Sequence, residues 1–404
     1  MAKIAVMGYG TIGSGVVEAI SMNQESIRKK TGEEIIVKYV LDLREFPGDP
    51  IQEKIVHDYQ VIAQDPEISV VVETMGGVEP AFTFSMAMLK AGKSVVTSNK
   101  AVVAEYGAEL MGAAVENHCN FFFEASVGGG IPIIRPLYTC LSPDVVTEIT
   151  GILNGTTNYI LSEMSQKGVS FEEALKEAQA LGYAERDPSA DVEGSDACRK
   201  IAILSSVAMG KKVVYTDIHT EGITGVTTED FRYAEKLGMS IKLLASSRMS
   251  DDHSHMQSMV APFMIDSSHP LFGVKDVFNA VMVTGNVVDQ LMFFGRGAGK
   301  LPTAAAVVAD VIEAVKLKDV CETEPWSSTV LKPDDYSCYT TRFMVRLPES
   351  IDRKLCEKLF CPEKVLTGVV EGEQAFITAP MTEKSYEEAA AQAGQVISRT
   401  RLYH

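Results

Sequence analysis

The segment GYAERDPSADVEGSDACRK, residues 182–200, holds eight charged side chains in nineteen positions and runs directly into the apolar stretch IAILSSVAMG. Asp196 and Lys200 stand four residues apart at the start of a predicted helix capped near Ser195, which puts both side chains on one face within a turn. The same spacing serves a surface ion pair or an acid–base couple at the rim of a site. The apolar run behind Lys200 favours partial burial of the amine.

A second group of residues is equipped to hold phosphate. KIAVMGYGTIGSGVVEAI gives a short β-branched run, then Gly8-x-Gly10-x-x-Gly13, then Ile12, Val16, Val17 and Ile20 at helical spacing. In this order Gly8 permits a tight turn, Gly10 lets a pyrophosphate approach the backbone, and Gly13 lets helix and strand pack closely. Thr11 and Ile12 open the helix, whose unpaired N–H groups face the phosphates. IIVKYVLD then reads as a second strand ending in Asp42, a partner for adenosine ribose hydroxyls that favours NAD. Arg44 is a partner for a 2′-phosphate and favours NADP. Asp42 lies further from the glycines than the usual ~20 residues, so the polar segment SMNQESIRKKTGEE either extends the helix or forms a loop.

These residues need a frame. Val-rich strands are expected at 69–77, 94–100 and 120–130, with helices between them, a pattern of a parallel sheet covered on both faces. Ligands in such sheets sit beyond the carboxyl ends of the strands, which places Thr74, Gly76, Ser98 and Lys100 beside the glycine turn. Lys100 on position alone is equally an ordinary surface lysine. LNGTTNY, 153–159, reads as a polar turn leading into the helix YILSEM. Its N–H groups, around Gly155 and the Thr156 hydroxyl, suit a carboxylate or simply cap the helix.

Composition excludes several functions. The 404 residues carry a net charge of −17, which opposes binding to nucleic acid. No stretch approaches the ~20 apolar residues of a membrane span, and MAKIAVMGYG lacks a signal peptide's regions. A cytoplasmic enzyme with no membrane partner is expected. Seven cysteines without a CxxC pair fit reduced thiols rather than disulfides or zinc. HSH at 253–255 reads as a solvated loop.

GYGTIGSG, ETMGGVEPA, GKSVVTSNKA, FEASVGGGIPIIRPL, GILNGTTNYIL, AQALGYAERDPSADVEGSDACRKIAIL and GRGAGKLPTAAAVVAD resemble, in that order, the signature blocks of homoserine dehydrogenases over residues 3–316. The resemblance implies NAD(P)H-dependent interconversion of aspartate 4-semialdehyde and homoserine. It makes Lys200 the general acid–base and Asp196 a hydrogen-bond partner of the substrate oxygen; a lysine in that role needs its pKa lowered by partial burial or a neighbouring cation, for which Lys100 is the catalytic candidate. Glu185 becomes the ligand of the substrate ammonium, with Asp191 beside it and Tyr183, Gly155 and Thr156 completing the substrate site. Gly299 falls near the nicotinamide. A structural sodium ion is implied at Glu124, Val127, Gly129 and Ile131. Arg186 and Arg296 depart from the residues common in the family; Arg186 is expected to face solvent.

The expected fold is α/β. A Rossmann-type parallel-sheet domain covers 1–135, completed by 295–320, and an α+β open mixed sheet for substrate binding and dimerisation covers 136–294. A short ACT-like module follows at 335–404, strand-rich with one helix and without the usual Asp-x-Pro-Gly turn, reading LPESIDRKL instead. A homodimer or dimer of dimers follows from the resemblance. Two other functions share these motifs: a dehydrogenase of another small amino-acid semialdehyde, and a cofactor-binding regulator without turnover.

Overall fold

A computed structural model describes residues 1–250 and 254–403. The chain divides into two compact units, one of residues 1–145, 202–215 and 295–331, the other of 146–201, 216–294 and 332–404.

Among the described residues the first unit is built on a six-stranded, all-parallel sheet. In spatial order the strands are Ile55–Val56, Ile35–Leu41, Ala2–Met7, Ile68–Glu73, Ser94–Thr97 and Phe121–Phe122. In chain order this is 3-2-1-4-5-6, the doubly wound dinucleotide-binding arrangement. The central strands are apolar on both faces because helices cover both; Val70, Val71 and Val72 are all buried. The Lys300–Lys316 helix packs Ala304, Val307 and Val311 into the core that holds Val16 and Ile20 of the Thr11–Met22 helix.

Three local expectations change. The polar segment after residue 21 forms its own short helix, Gln24–Thr31, which Gly32 ends in the left-handed conformation (φ +79°). Ile55–Val56 adds an edge strand too short to show periodicity. The strand expected over 120–130 stops at Phe122, and Glu124–Ser126 turns instead. The turn is held because the buried Glu124 carboxylate accepts the main-chain N–H groups of Ile133 (2.6 Å), Ile134 (2.8 Å) and Arg135 (2.8 Å).

The described residues of the second unit form an eleven-stranded mixed sheet. Its main path runs Asp289–Arg296, Phe278–Gly285, Val146–Ile152, Met239–Met249, Met256–Asp266, Ser398–Leu402, Thr340–Pro348, Glu373–Thr378 and Pro362–Leu366. The Val146–Ile152, Met239–Met249 and Met256–Asp266 strands pair antiparallel, and Ser398–Leu402 joins Met256–Asp266 in parallel. Apart from the two-residue strand Met381–Thr382, residues 340–402 follow a βαββαβ order with Ser398–Leu402 beside Thr340–Pro348. They carry two helices rather than one. LPESIDRKL begins the Arg353–Phe360 helix because Asp352 caps it through the Lys354 N–H (3.0 Å), and Cys356 and Phe360 are buried.

His253 lies outside the described residues; His255 pairs with Asp334 (3.1 Å). All seven cysteines are free of disulfides, and among the described residues no helix is long and apolar enough to cross a membrane.

Candidate active site

The glycine turn of the first unit has the shape its sequence requires. Gly8 sits at φ +95°, where an L side chain is strained, and a Cβ there would lie 3.0 Å from the Thr74–Met75 backbone. A Cβ on Gly13 would lie 1.9 Å from the Gly8 carbonyl, so helix and turn touch through hydrogen alone. Around Gly10 nothing lies within 4 Å of the Cβ position. The Thr11–Met22 helix begins there with no side chain capping its N-terminus. An open backbone ahead of uncapped N–H groups is what a pyrophosphate needs, so these residues fit a dinucleotide.

Asp42 and Arg44 do not compete for the ribose end; they pair. Arg44 donates from Nε to Asp42 Oδ1 (2.9 Å) and from Nη2 to Oδ2 (2.9 Å), and its Nη2 also reaches the Tyr9 carbonyl (3.1 Å). Oδ2 further accepts the Tyr9 N–H (2.8 Å). Asp42 is largely buried, and the hydrogen bonds from Arg44 hold its carboxyl well below the usual carboxylate range. Arg44 is exposed, so a guanidinium faces solvent beside a carboxylate fixed to the glycine turn.

Thr74 donates to the Gly8 carbonyl (2.9 Å), tying the fourth strand's end to the glycine turn. Gly76 has a positive φ (+79°). The Ser98 N–H reaches the Glu73 carbonyl (3.3 Å), and Lys100 opens the Lys100–Glu116 helix that Asn99 caps. Sequence reasoning missed Glu73. It is fully buried and accepts from Thr97 Oγ1 (2.6 Å) and the Met75 N–H (2.7 Å); burial pushes its carboxyl up against these bonds. A lone acid closing the strand ISVVVE was the available signal. Gly299 (φ +121°) begins the Lys300–Lys316 helix, and exposed Arg296 contributes its carbonyl to the Gly130 N–H (3.0 Å).

The loop proposed for sodium is built around Glu124. Beyond the three N–H groups its carboxylate accepts, its own N–H donates to Asp310 (2.9 Å). That fully buried carboxyl is pushed up to about 7 by burial and the Glu124 charge, against the Arg135 guanidinium. The Glu124 side chain is therefore committed to the fold. A Cβ on Gly129 (φ +57°) would lie 2.2 Å from the Gly297 carbonyl, and Val127 and Ile131 are buried. No group of three or more His, Cys, Asp or Glu side chains among the described residues could hold a metal.

In the second unit the segment 182–200 is a loop and one helical turn ahead of the Ser195–Met209 helix, entered through Gly194 at φ +86°. Lys200 and Asp196 are both buried and paired (2.8 Å), and Lys200 Nζ donates to the Leu153 carbonyl (2.8 Å). A surface ion pair is excluded by this burial. Asn154 joins the acids: its Nδ2 donates to Asp191 Oδ1 (2.7 Å) and to Asp196 Oδ2 (2.8 Å). Its Oδ1 accepts the Thr157 N–H (2.8 Å) and so caps the Gly155–Lys167 helix, which begins earlier than YILSEM suggested. In LNGTTNY the capping role of Asn154 masks its second bond, to the two acids.

Gly155 lies where a Cβ would meet the Val277 carbonyl (2.8 Å). The Thr156 hydroxyl donates to the Tyr183 carbonyl (2.7 Å), and the Tyr183 ring meets Tyr159 edge-on at 5.0 Å. Glu185 is exposed, with no partner for its carboxylate among the described residues; Gln179 holds its carbonyl (3.1 Å). Arg186 is exposed as expected. The structure thus joins Asp191, Asp196 and Lys200 in one network and leaves Glu185 open to solvent.

A cradle of this kind on a 3-2-1-4-5-6 sheet makes the chain, as a class, a dinucleotide-binding protein, and its relatives narrow the class. Residues 8–124 match the model of the homoserine dehydrogenase NAD-binding domain, and residues 132–312 match that of homoserine dehydrogenase itself. A homoserine dehydrogenase of Synechocystis is 47% identical over 319 residues, 78% of this chain and 73% of that one. The crystal structure of a homoserine dehydrogenase from Thiobacillus denitrificans matches at TM-score 0.90 and 34% identity, covering 100% of this chain and 98% of that one. A hyperthermophilic archaeal homoserine dehydrogenase in complex with NADPH matches at TM-score 0.65 and 28% identity, over 78% of this chain and 97% of that one. The chain belongs to the homoserine dehydrogenase family of NAD(P)-dependent oxidoreductases acting on a CH–OH group.

Proposed function

We propose that this chain reversibly reduces L-aspartate 4-semialdehyde to L-homoserine, a step that feeds synthesis of threonine, methionine and isoleucine. The observation that carries the site assignment is the buried Lys200–Asp196–Asn154–Asp191 network. The reduced nicotinamide, when bound, supplies a hydride to the aldehyde carbon. Negative charge then develops on the carbonyl oxygen, and Lys200 gives that oxygen its proton; in the reverse direction Lys200 accepts the hydroxyl proton. Asp196 orients the amine and the substrate oxygen. Glu185 and Asp191 take the substrate ammonium, and the N–H groups and hydroxyl at Gly155 and Thr156 take its carboxylate. Tyr183 rests on the family resemblance.

Gly8, Gly10, Thr11, Ile12 and Gly13 hold the pyrophosphate, with Thr74, Gly76, Ser98, Lys100 and Gly299 toward the nicotinamide. The Asp42–Arg44 pair brings the group that favours NAD and the group that favours NADP to one place, and Arg44 has to release the Asp42 carboxylate, which accepts four N–H donors, before it can take a ribose hydroxyl. A sodium ion at the Glu124 loop would draw mainly on the main-chain carbonyls of Val127, Gly129 and Ile131, because three N–H groups leave the Glu124 carboxylate one acceptor site, on Oε2. Residues 1–135 with 295–320 act as the cofactor domain and 136–294 as the substrate and dimer domain. The βαββαβ order of 340–402 supports an ACT-like module. A cytoplasmic homodimer or dimer of dimers rests on the family resemblance.

The test is homoserine oxidation with NAD and NADP side by side. Turnover with at least one cofactor is expected, and no turnover with either rejects the reading, leaving a cofactor-binding regulator. Turnover only with another amino-acid semialdehyde identifies the rival dehydrogenase.

A further inference from the structure

The strand Ser398–Leu402 carries two arginines that reach out of its own βαββαβ module. Arg401 is 1% exposed and donates from Nη1 and Nη2 to both oxygens of Glu221 (2.7 and 2.6 Å), while its Nε meets Glu383. Arg399 adds a third bond to Glu221 (3.0 Å), and His219 a fourth (2.8 Å). Four donors on one carboxylate, two of them a bidentate guanidinium, fix its position far better than a surface ion pair does.

Glu221 leads into the backbone that braces the catalytic segment. Its neighbour Gly222 packs so closely on Val192–Glu193 that a Cβ would lie 2.1 Å from the Val192 carbonyl, and the Ile223 N–H donates to that same carbonyl (2.8 Å). From the other side, a Cβ on Gly194 would meet Thr220 Cγ2 at 3.1 Å and the Glu221 carbonyl at 3.4 Å. Val192 follows Asp191 and Gly194 precedes the helix of Asp196 and Lys200, so the 220–223 backbone grips the turn between the two acids.

We infer that Glu221 is a positioning residue, and that the Arg399–Arg401 strand sets the relative placement of Asp191 and the Asp196–Lys200 helix turn through it. The C-terminal module is then a working part of the substrate site rather than a detachable appendage. This rests on the reading of Asp191–Lys200 as that site. Small displacements at a reacting centre cost up to ~100-fold in rate, so a loosened brace registers in kinetics before it registers in folding.

The experiment compares Glu221→Gln with Glu373→Gln in the full chain. Glu373 pairs with the buried Arg346, whose further partners include Thr227 and Asp230 rather than Glu221 or Gly222, and serves as the stability control. Glu221→Gln is expected to raise KM for homoserine at least ~5-fold and lower kcat/KM by about 10- to 100-fold, with the cofactor Kd unchanged. Glu373→Gln is expected to lower Tm and leave the homoserine KM alone. Should Glu221→Gln fail to fold, Arg399→Gln, which removes only the half-buried arm, should move KM in the same direction by roughly 3-fold or more. Unchanged KM in the Glu221 variant (or in its Arg399 substitute), or an equal rise in the Glu373 control, overturns the inference. Lys200→Ala is run beside them. If it keeps full activity, the site reading itself has failed, whereas an inactive Lys200→Ala with an unaltered Glu221→Gln rejects only the brace.

Discussion

At the scale of single residues, the central arrangement is a buried lysine held between a carboxylate and a carbonyl, with one asparagine spanning two acids. Asn154 keeps Asp191 and Asp196 apart in charge while joining them in space, because its Nδ2 satisfies both. Asn154→Asp retains a cap for the Gly155–Lys167 helix but sets a third carboxylate against the pair. Homoserine kcat/KM is expected to fall by at least ~100-fold, and the melting temperature to fall with it because a buried charge replaces the amide that bonds both acids; a steady-state assay beside a thermal melt checks this. Asp196 and Lys200 were legible in the sequence from their spacing, and burial was foreshadowed by IAILSSVAMG. The double role of Asn154 was not, since a capping asparagine and a bridging one are spelled alike.

At the scale of elements, the glycine turn separates two functions that the motif runs together. Gly13 is structural: its Cβ would lie 1.9 Å from the Gly8 carbonyl. Gly10 faces open space, so a Cβ there meets no protein atom and would stand only in the path of a ligand. Gly13→Ala is therefore expected to lower the unfolding free energy by about 2 kcal/mol or more, whereas Gly10→Ala leaves it nearly unchanged and weakens cofactor binding. Urea unfolding and NADPH titration of both variants distinguish the two roles. Strand–turn–helix order was readable because apolar runs and glycines punctuate it. The end of the strand at Phe122 was not, because it depends on Glu124 reaching three N–H groups nine to eleven residues away. The second helix of the C-terminal module was hidden in LPESIDRKL, where the Asp352 cap was outweighed by the missing Asp-x-Pro-Gly signal.

At the scale of the whole molecule, buried charge sets how stability responds to pH. Lys242 is 3% exposed, its amine donating to Asn158 Oδ1 (3.2 Å) and the Val274 carbonyl. Burial, aided by the Lys275 charge, lowers its pKa to about 8. The unfolded chain keeps this proton to about pH 10.4, so between the two values the unfolded state binds more protons and this residue's contribution to stability rises with pH. Relative to Lys242→Met, the wild type should gain on the order of 2 kcal/mol between pH 7.5 and 10, measured by urea unfolding at both values; a constant difference would show that the amine titrates normally. The class of the molecule was legible from ordered motifs spread along the chain. The continuity of one mixed sheet from Val146–Ile152 to Pro362–Leu366 was not, because strand pairing between distant segments leaves no local mark.

The most direct test of the central claim is Lys200→Ala, assayed for homoserine turnover and for cofactor affinity in the same preparation. The account predicts a fall in kcat of at least ~100-fold, the lower range for loss of a general acid–base, with the cofactor Kd essentially unchanged because the dinucleotide cradle is built from other residues. Near-normal turnover in this variant would contradict it.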